Sequence, residues 1–155
     1  MNRGGGRGLP VIPIKDANPT KRFPVVTVLF IALNVLVFLY QASLGPVRGG
    51  MLATLFSLVP ARLFHPAAAS AGSVPAGLTV VTSMFLHGGI VHLAGNMLYL
   101  WIFGNNVEDA MGRLRFALFY LLCGITAAMG HALTDTRSVI PMVGASGAIS
   151  GVLGA

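Results

Sequence analysis

The sequence predicts an all-α membrane protein, a polytopic helical bundle with three full spans and the start of a fourth. Three features of the 155 residues predict it. Fifty-five per cent are apolar and only 9% are charged, against about 25% charged in ordinary soluble domains. Mean hydropathy is +0.80. The apolar residues also fall into runs near the 20 or so that a helix needs to cross about 30 Å of hydrocarbon.

The first run, "PVVTVLFIALNVLVFLYQASLG" at 24–45, carries no charge and predicts span one. It is too long, and too far from the start, for a cleaved signal peptide, whose apolar core is usually about 7–15 residues. The second run, "GGIVHLAGNMLYLWIFG" at 88–104, predicts span two and can extend back through "LTVVTSMFLH". The third, "FALFYLLCGITAAMGHALT" at 116–134, predicts span three. The fourth, 138–155, is uncharged and stops with the chain. Its helical part from Gly144 on would reach about 18 Å, short of a full crossing.

Residues 1–22 read as a basic, poorly ordered tail, and 23–155 as one membrane domain. The long link 46–78 holds apolar pieces, "MLATLFSLV" and "ARLF", that suit the membrane interface. The loop "NNVEDAMGRLR" is short and makes spans two and three neighbours. With the N-terminus inside, Arg3, Arg7, Lys15, Lys21, Arg22, Arg113 and Arg115 are cytoplasmic, and Arg48, Arg62 and Arg137 are outside. That asymmetry predicts a cytoplasmic N-terminus. The net charge of +6 is dispersed, with half of the basic residues in the tail. It suits anionic lipid and not nucleic acid. The single cysteine, Cys123, lies mid-span and reads as an apolar filler.

Polar residues inside spans are expensive and mark function or interhelical contact. His92 and Asn96, four apart, share one helix face, and His87 precedes them. A His-Glu-x-x-His zinc site is absent, and Asp16, Asp109 and Asp135 all lie in loops or the tail, so neither a membrane metalloprotease nor an aspartyl protease is indicated. Haem ligation would use His87, His92 or His131, and a small channel would use His92 and Asn96. In "GASG", Ser146 sits between Gly144 and Gly147. A helix starting near Ser146 would present unpaired N–H groups suited to an oxyanion. The competing reading is packing, because Gly147 and Gly151 form G-x-x-x-G. Ser150 would lie a turn inside that helix and is the weaker nucleophile.

The segment "TSMFLHGGIVHLAGNMLYLWIFGNNVEDAMGRLRFALFYLLCG", followed by "GASGAISG", resembles the rhomboid intramembrane serine proteases. The upstream "IPIKDANPTKRFPVVT" is similar to the lead-in of bacterial members, so the resemblance covers most of 9–155. It rests on H-x-x-x-N, E-x-x-x-G-R and G-x-S-G in that order. It implies six or more helices, a Ser–His dyad and cleavage of transmembrane segments of other membrane proteins, without metal or cofactor. By motif, Ser146 is the nucleophile, preceded by the family glycine Gly144. His92 and Asn96 help form the oxyanion hole, and His87 is a further histidine at the outer end of their helix. Glu108, Gly112 and Arg113 match a structural motif on the cytoplasmic loop. The resemblance also implies a bacterial inner membrane location. The Trp–Arg pair of some members is missing, and the only Trp is Trp101.

The family's general base is a histidine on a sixth helix, beyond residue 155. The expectation is therefore an N-terminal portion of a longer serine endopeptidase, inactive by itself. The alternative expectation is a rhomboid-like pseudoprotease that binds transmembrane helices without cutting them.

Overall fold

The computed structural model describes residues 22–65, 67 and 74–155. The basic tail, apart from Arg22, lies outside the described residues, as does most of the "PAAASAG" stretch. Seven α-helices are described: α1 Val25–Ser43, α2 Gly45–Phe56, α3 Pro60–Phe64, α4 Ala76–Thr82, α5 Ile90–Met111, α6 Arg113–Thr134 and α7 Ser146–Leu153, with a 3-10 turn, Ser83–Phe85, after α4. Among the described residues the only strand-like pairing is one isolated antiparallel bridge.

Helices α1 and α6 are each long and apolar enough to span a membrane. Their outward leucines, Leu29, Leu36, Leu118 and Leu122 among them, are exposed, as lipid-facing side chains are. The third span qualifies only when α4 with its 3-10 turn is joined to α5 across an 81° bend. The backward extension of span two through "LTVVTSMFLH" is therefore not a continuous helix. The break falls at Gly88 and Gly89, and Asn105, Asn106, Glu108 and Asp109 dilute the far end of α5.

The loop expected at 105–115 shrinks to Gly112. Helix α5 runs to Met111, and α6 starts at Arg113. Gly112 turns the chain at φ +82°, ψ 156°, a left-handed φ that favours glycine. Glu108 is thus on a helix, not in a loop. It is 3% exposed, and its carboxylate caps another helix. Val26 N–H donates to Oε1 at 3.0 Å. Thr27 N–H and Thr27 Oγ donate to Oε2 at 2.8 and 2.9 Å. Pro24 at the N-cap of α1 offers no side-chain acceptor, so the orphan donors of that first turn are met from α5. Thr27 also packs against Gly104, where an added Cβ would lie 3.2 Å from it.

The core, around Met84, Leu100, Phe116, Tyr120, Ala148 and Ile149, lies where α5, α6 and α7 meet. Helix α7 runs antiparallel to α6 at close range. A Cβ on Gly147 would stand 2.6 Å from Ala127 Cβ, and one on Gly151 would overlap Cys123. The G-x-x-x-G is thus a packing surface, with no room for larger side chains.

The link 46–78 is helical over α2, α3 and the start of α4, and it braces the loop before α7. Leu58 and Met142 exchange both N–H···O bonds, at 3.2 and 2.8 Å, and Ala61 N–H donates to Ser138 O at 2.9 Å.

Candidate active site

Helix α7 begins at Ser146, with Ala145 as N-cap and no side-chain cap. Ile149 N–H bonds to the Ala145 carbonyl, so the N–H groups of Ser146, Gly147 and Ala148 are those a helix leaves without an intrahelical acceptor. The Ser146 side is exposed. Ser150 is different. Its Oγ donates to the Ser146 carbonyl at 2.8 Å and is occupied within its own helix.

Gly144 sets the approach to Ser146. Its φ is +122°, and its N–H donates to Ser83 O at 2.9 Å. A Cβ there would lie 2.7 Å from His92 Cε1, 2.9 Å from His92 Nε2 and 3.7 Å from Asn96 Nδ2. The backbone two residues before Ser146 is therefore pressed against His92 and within ordinary contact of Asn96. The i, i+4 spacing puts His92 and Asn96 on one face, and the bare Cα of Gly144 lets α7 reach it. Gly144→Ala should strain the left-handed φ and push the imidazole aside. We expect a full-length G144A protein that folds but reacts about 100-fold more slowly with a serine-directed fluorophosphonate, the scale of a misplacement near 1 Å. Unchanged labelling kinetics would contradict the role of this contact.

His87 lies in the bend between the 3-10 turn and α5 and is 1% exposed. Asn96 Nδ2 and His87 Nε2 are 2.9 Å apart. The His87 and His92 rings meet edge-on, 5.1 Å between centroids. Helical spacing does not predict this meeting, because α5 starts only at Ile90 and His87 folds back from the bend.

A cavity of about 210 Å³ opens beside Ser146, lined also by Ser83, Met142, Gly144 and His131. Gly147 packs against Ala127, seven residues before the end of α6, so Ser146 lies about 10 Å along the axis from that end. Glu108, Gly112 and Arg113 are not part of this site. They sit at the other end of α5, about 24 Å from His92 along the helix, where Arg113 is exposed and lines a small cleft with Glu108 and Arg22.

Sequence reasoning missed several residues that build the site. Ser83 receives the Gly144 N–H, Leu58 and Met142 hold the loop before Ser146, and Gln41 on α1 bonds the His87 carbonyl at 3.4 Å. A glutamine at the end of an apolar run was the one available signal among them.

Comparison with known proteins gives the family. The Rhomboid domain family matches residues 76–155, from α4 to the chain end. Rhomboid protease GluP of Bacillus subtilis (strain 168) is 40% identical over 132 residues, covering 85% of this chain and 24% of that protein. RHOMBOID-like protein 5 of Arabidopsis thaliana is 37% identical over 76 residues, 49% of this chain and 25% of that protein. RHOMBOID-like protein 6, mitochondrial, of Arabidopsis thaliana is 42% identical over 76 residues, 49% of this chain and 24% of that protein. The chain spans about a quarter of the length of these curated relatives. With the family matched over more than half of its residues and its apolar helices packed as a membrane bundle, the chain belongs to the rhomboid family of integral membrane proteins.

Proposed function

We propose that the full-length protein is an intramembrane serine endopeptidase that cleaves transmembrane segments of other membrane proteins, with Ser146 as its nucleophile. One observation carries the reading: His92 and Asn96 converge on the Gly144 backbone two residues before an exposed serine at a helix N-terminus. Family membership and the name of the Bacillus relative support it.

In this mechanism Ser146 Oγ attacks the scissile carbonyl carbon, and the carbonyl π electrons move onto oxygen. The developing oxyanion takes hydrogen bonds from the Ser146 N–H, the His92 ring and the second N–H of the Asn96 amide, the first being directed at His87. Donors aimed at developing charge are worth about 10²–10³-fold each in rate. A base removes the Oγ proton and returns it to the leaving amine. By the resemblance to the family, we assign that base to a histidine. In this reading the N-terminus is cytoplasmic, the site opens to the outer side of a bacterial inner membrane, and Glu108, Gly112 and Arg113 serve structure.

The test is a fluorophosphonate probe on the full-length protein in detergent micelles, with the adduct mapped by mass spectrometry. An adduct on Ser146 is expected. A folded protein that takes no label there would replace this reading with that of a helix-binding pseudoprotease.

A further inference from the structure

Helix α2 turns back along α1, with Gly49 packed on the Gln41 carbonyl where no Cβ fits. Further along, the two helices leave between them an open groove of about 390 Å³. Leu33, Val37 and Tyr40 form its α1 wall, Leu52 and Phe56 its α2 wall, and Phe85 of the 3-10 turn also lines it. Polar side chains are few there. The Thr82 hydroxyl donates to the Phe56 carbonyl at 2.7 Å, which leaves the Tyr40 hydroxyl at one end. Such a wall offers water few partners and suits hydrocarbon.

The depth of the groove narrows the choice of occupant. Along α1, Tyr40 stands three residues and Leu33 ten residues before the end at Ser43. The groove therefore runs from about 5 Å to about 15 Å below that end. This is the depth of one leaflet, half of a hydrocarbon core about 30 Å thick. A transmembrane helix docked on α1 would need the groove to continue past Leu33 through the other half. An acyl chain hung from the head-group level needs only this half.

The head-group end carries a cation. Arg48, Leu52 and Phe56 recur at i, i+4 and i+8 along one face of α2, and the last two line the groove. Side chains on a helix lean toward its N-terminus, which carries Arg48 toward the junction of α1 and α2. Arg48 is exposed and makes no hydrogen bond or ion pair among the described residues. Arg62 differs, since its Nη1 donates to the Thr54 carbonyl at 3.0 Å. An unpaired guanidinium at the head of an apolar groove complements a phosphate joined to an acyl chain. A zwitterionic head group sets its own ammonium against that phosphate, so the site favours the anionic kind. We propose that the groove between α1 and α2 binds an anionic phospholipid, with an acyl chain along Leu33, Val37, Leu52 and Phe56 and the phosphate on Arg48.

The test uses full-length protein in phosphatidylcholine vesicles, with a trace of either phosphatidylglycerol or phosphatidylcholine carrying a diazirine on the acyl chain. After illumination, mass spectrometry reads the ratio of adducts at the groove to adducts at the lipid-facing Leu118 and Leu122 of α6. The ratio should be about fivefold higher for phosphatidylglycerol than for phosphatidylcholine, the contribution of one Arg to anionic-lipid binding. R48Q should abolish that preference and R48K should keep it. Leu52→Trp, which fills the groove, should bring the ratio to parity with the α6 face. If the tryptophan variant does not fold, R48Q, at an exposed position, decides alone. Equal ratios for the two lipids in wild type, or an R48Q protein matching wild type, would reduce the groove to ordinary lipid contact and overturn the proposal. Displacement of groove adducts by an added transmembrane peptide, and not by unlabelled phosphatidylglycerol, would overturn it in favour of a protein partner.

Discussion

Full-length protein carrying Ser146→Ala should lose both fluorophosphonate labelling and proteolysis of a transmembrane substrate, by about 10⁴–10⁶-fold, the range seen when a serine nucleophile is deleted. The fold should not notice. Ser146 is exposed, and α7 is held by Gly147 against Ala127 and Gly151 against Cys123, neither of which involves Oγ. Exposed substitutions away from caps and cores usually cost under about 0.5 kcal/mol. Unfolding of S146A in micelles should therefore match wild type while activity vanishes. Wild-type activity in S146A would move the chemistry to another residue. Ser150 is poorly placed to take it over, because its hydroxyl already bonds the Ser146 carbonyl.

Glu108→Ala should show the opposite pattern. The side chain accepts three hydrogen bonds from the first turn of α1. Removing it leaves the buried Thr27 N–H and hydroxyl, and the Val26 N–H, without acceptors. Bonds to a carboxylate are worth about 1.5–3 kcal/mol each, and a lost helix cap about 0.5–2 kcal/mol. These terms overlap, so a loss of roughly 2–4 kcal/mol is expected in denaturant-induced unfolding in micelles. Glu108→Gln keeps one acceptor oxygen and should lose about half as much. The fraction of E108A that stays folded should still label at Ser146, since the cap lies at the far end of α5. Equal stability of E108A and wild type would show that solvent or another residue satisfies the α1 turn.

The helices themselves were legible in the sequence to different degrees. Runs 24–45 and 116–134 were read as spans and are α1 and α6 to within a few residues, because an uncharged run of that length must close its own backbone hydrogen bonds in lipid. Span two was legible only in its second half. Nothing in "LTVVTSMFLHGGIVHL" announces an 81° bend except two adjacent glycines, and apolar composition reads the same on either side of it. The apolar pieces of the 46–78 link were legible in the sequence. That it stitches Leu58 to Met142 was not, since a backbone pairing across more than 80 residues leaves no mark in either segment.

Sequence alone determined that this is a helical membrane protein of the rhomboid family, which residue types could carry chemistry, and that His92 and Asn96 share a face. Those are properties of composition, run length and helical period, and each is local. Only the tertiary structure decided that Gly144 closes against that face, that His87 returns from the bend to hold Asn96, that Glu108 caps α1, and that Gln41 reaches the His87 carbonyl. Each of these joins atoms from different segments at hydrogen-bond or van der Waals distance. Such distances depend on where a glycine lets two backbones approach, and a one-dimensional pattern carries no record of that partner.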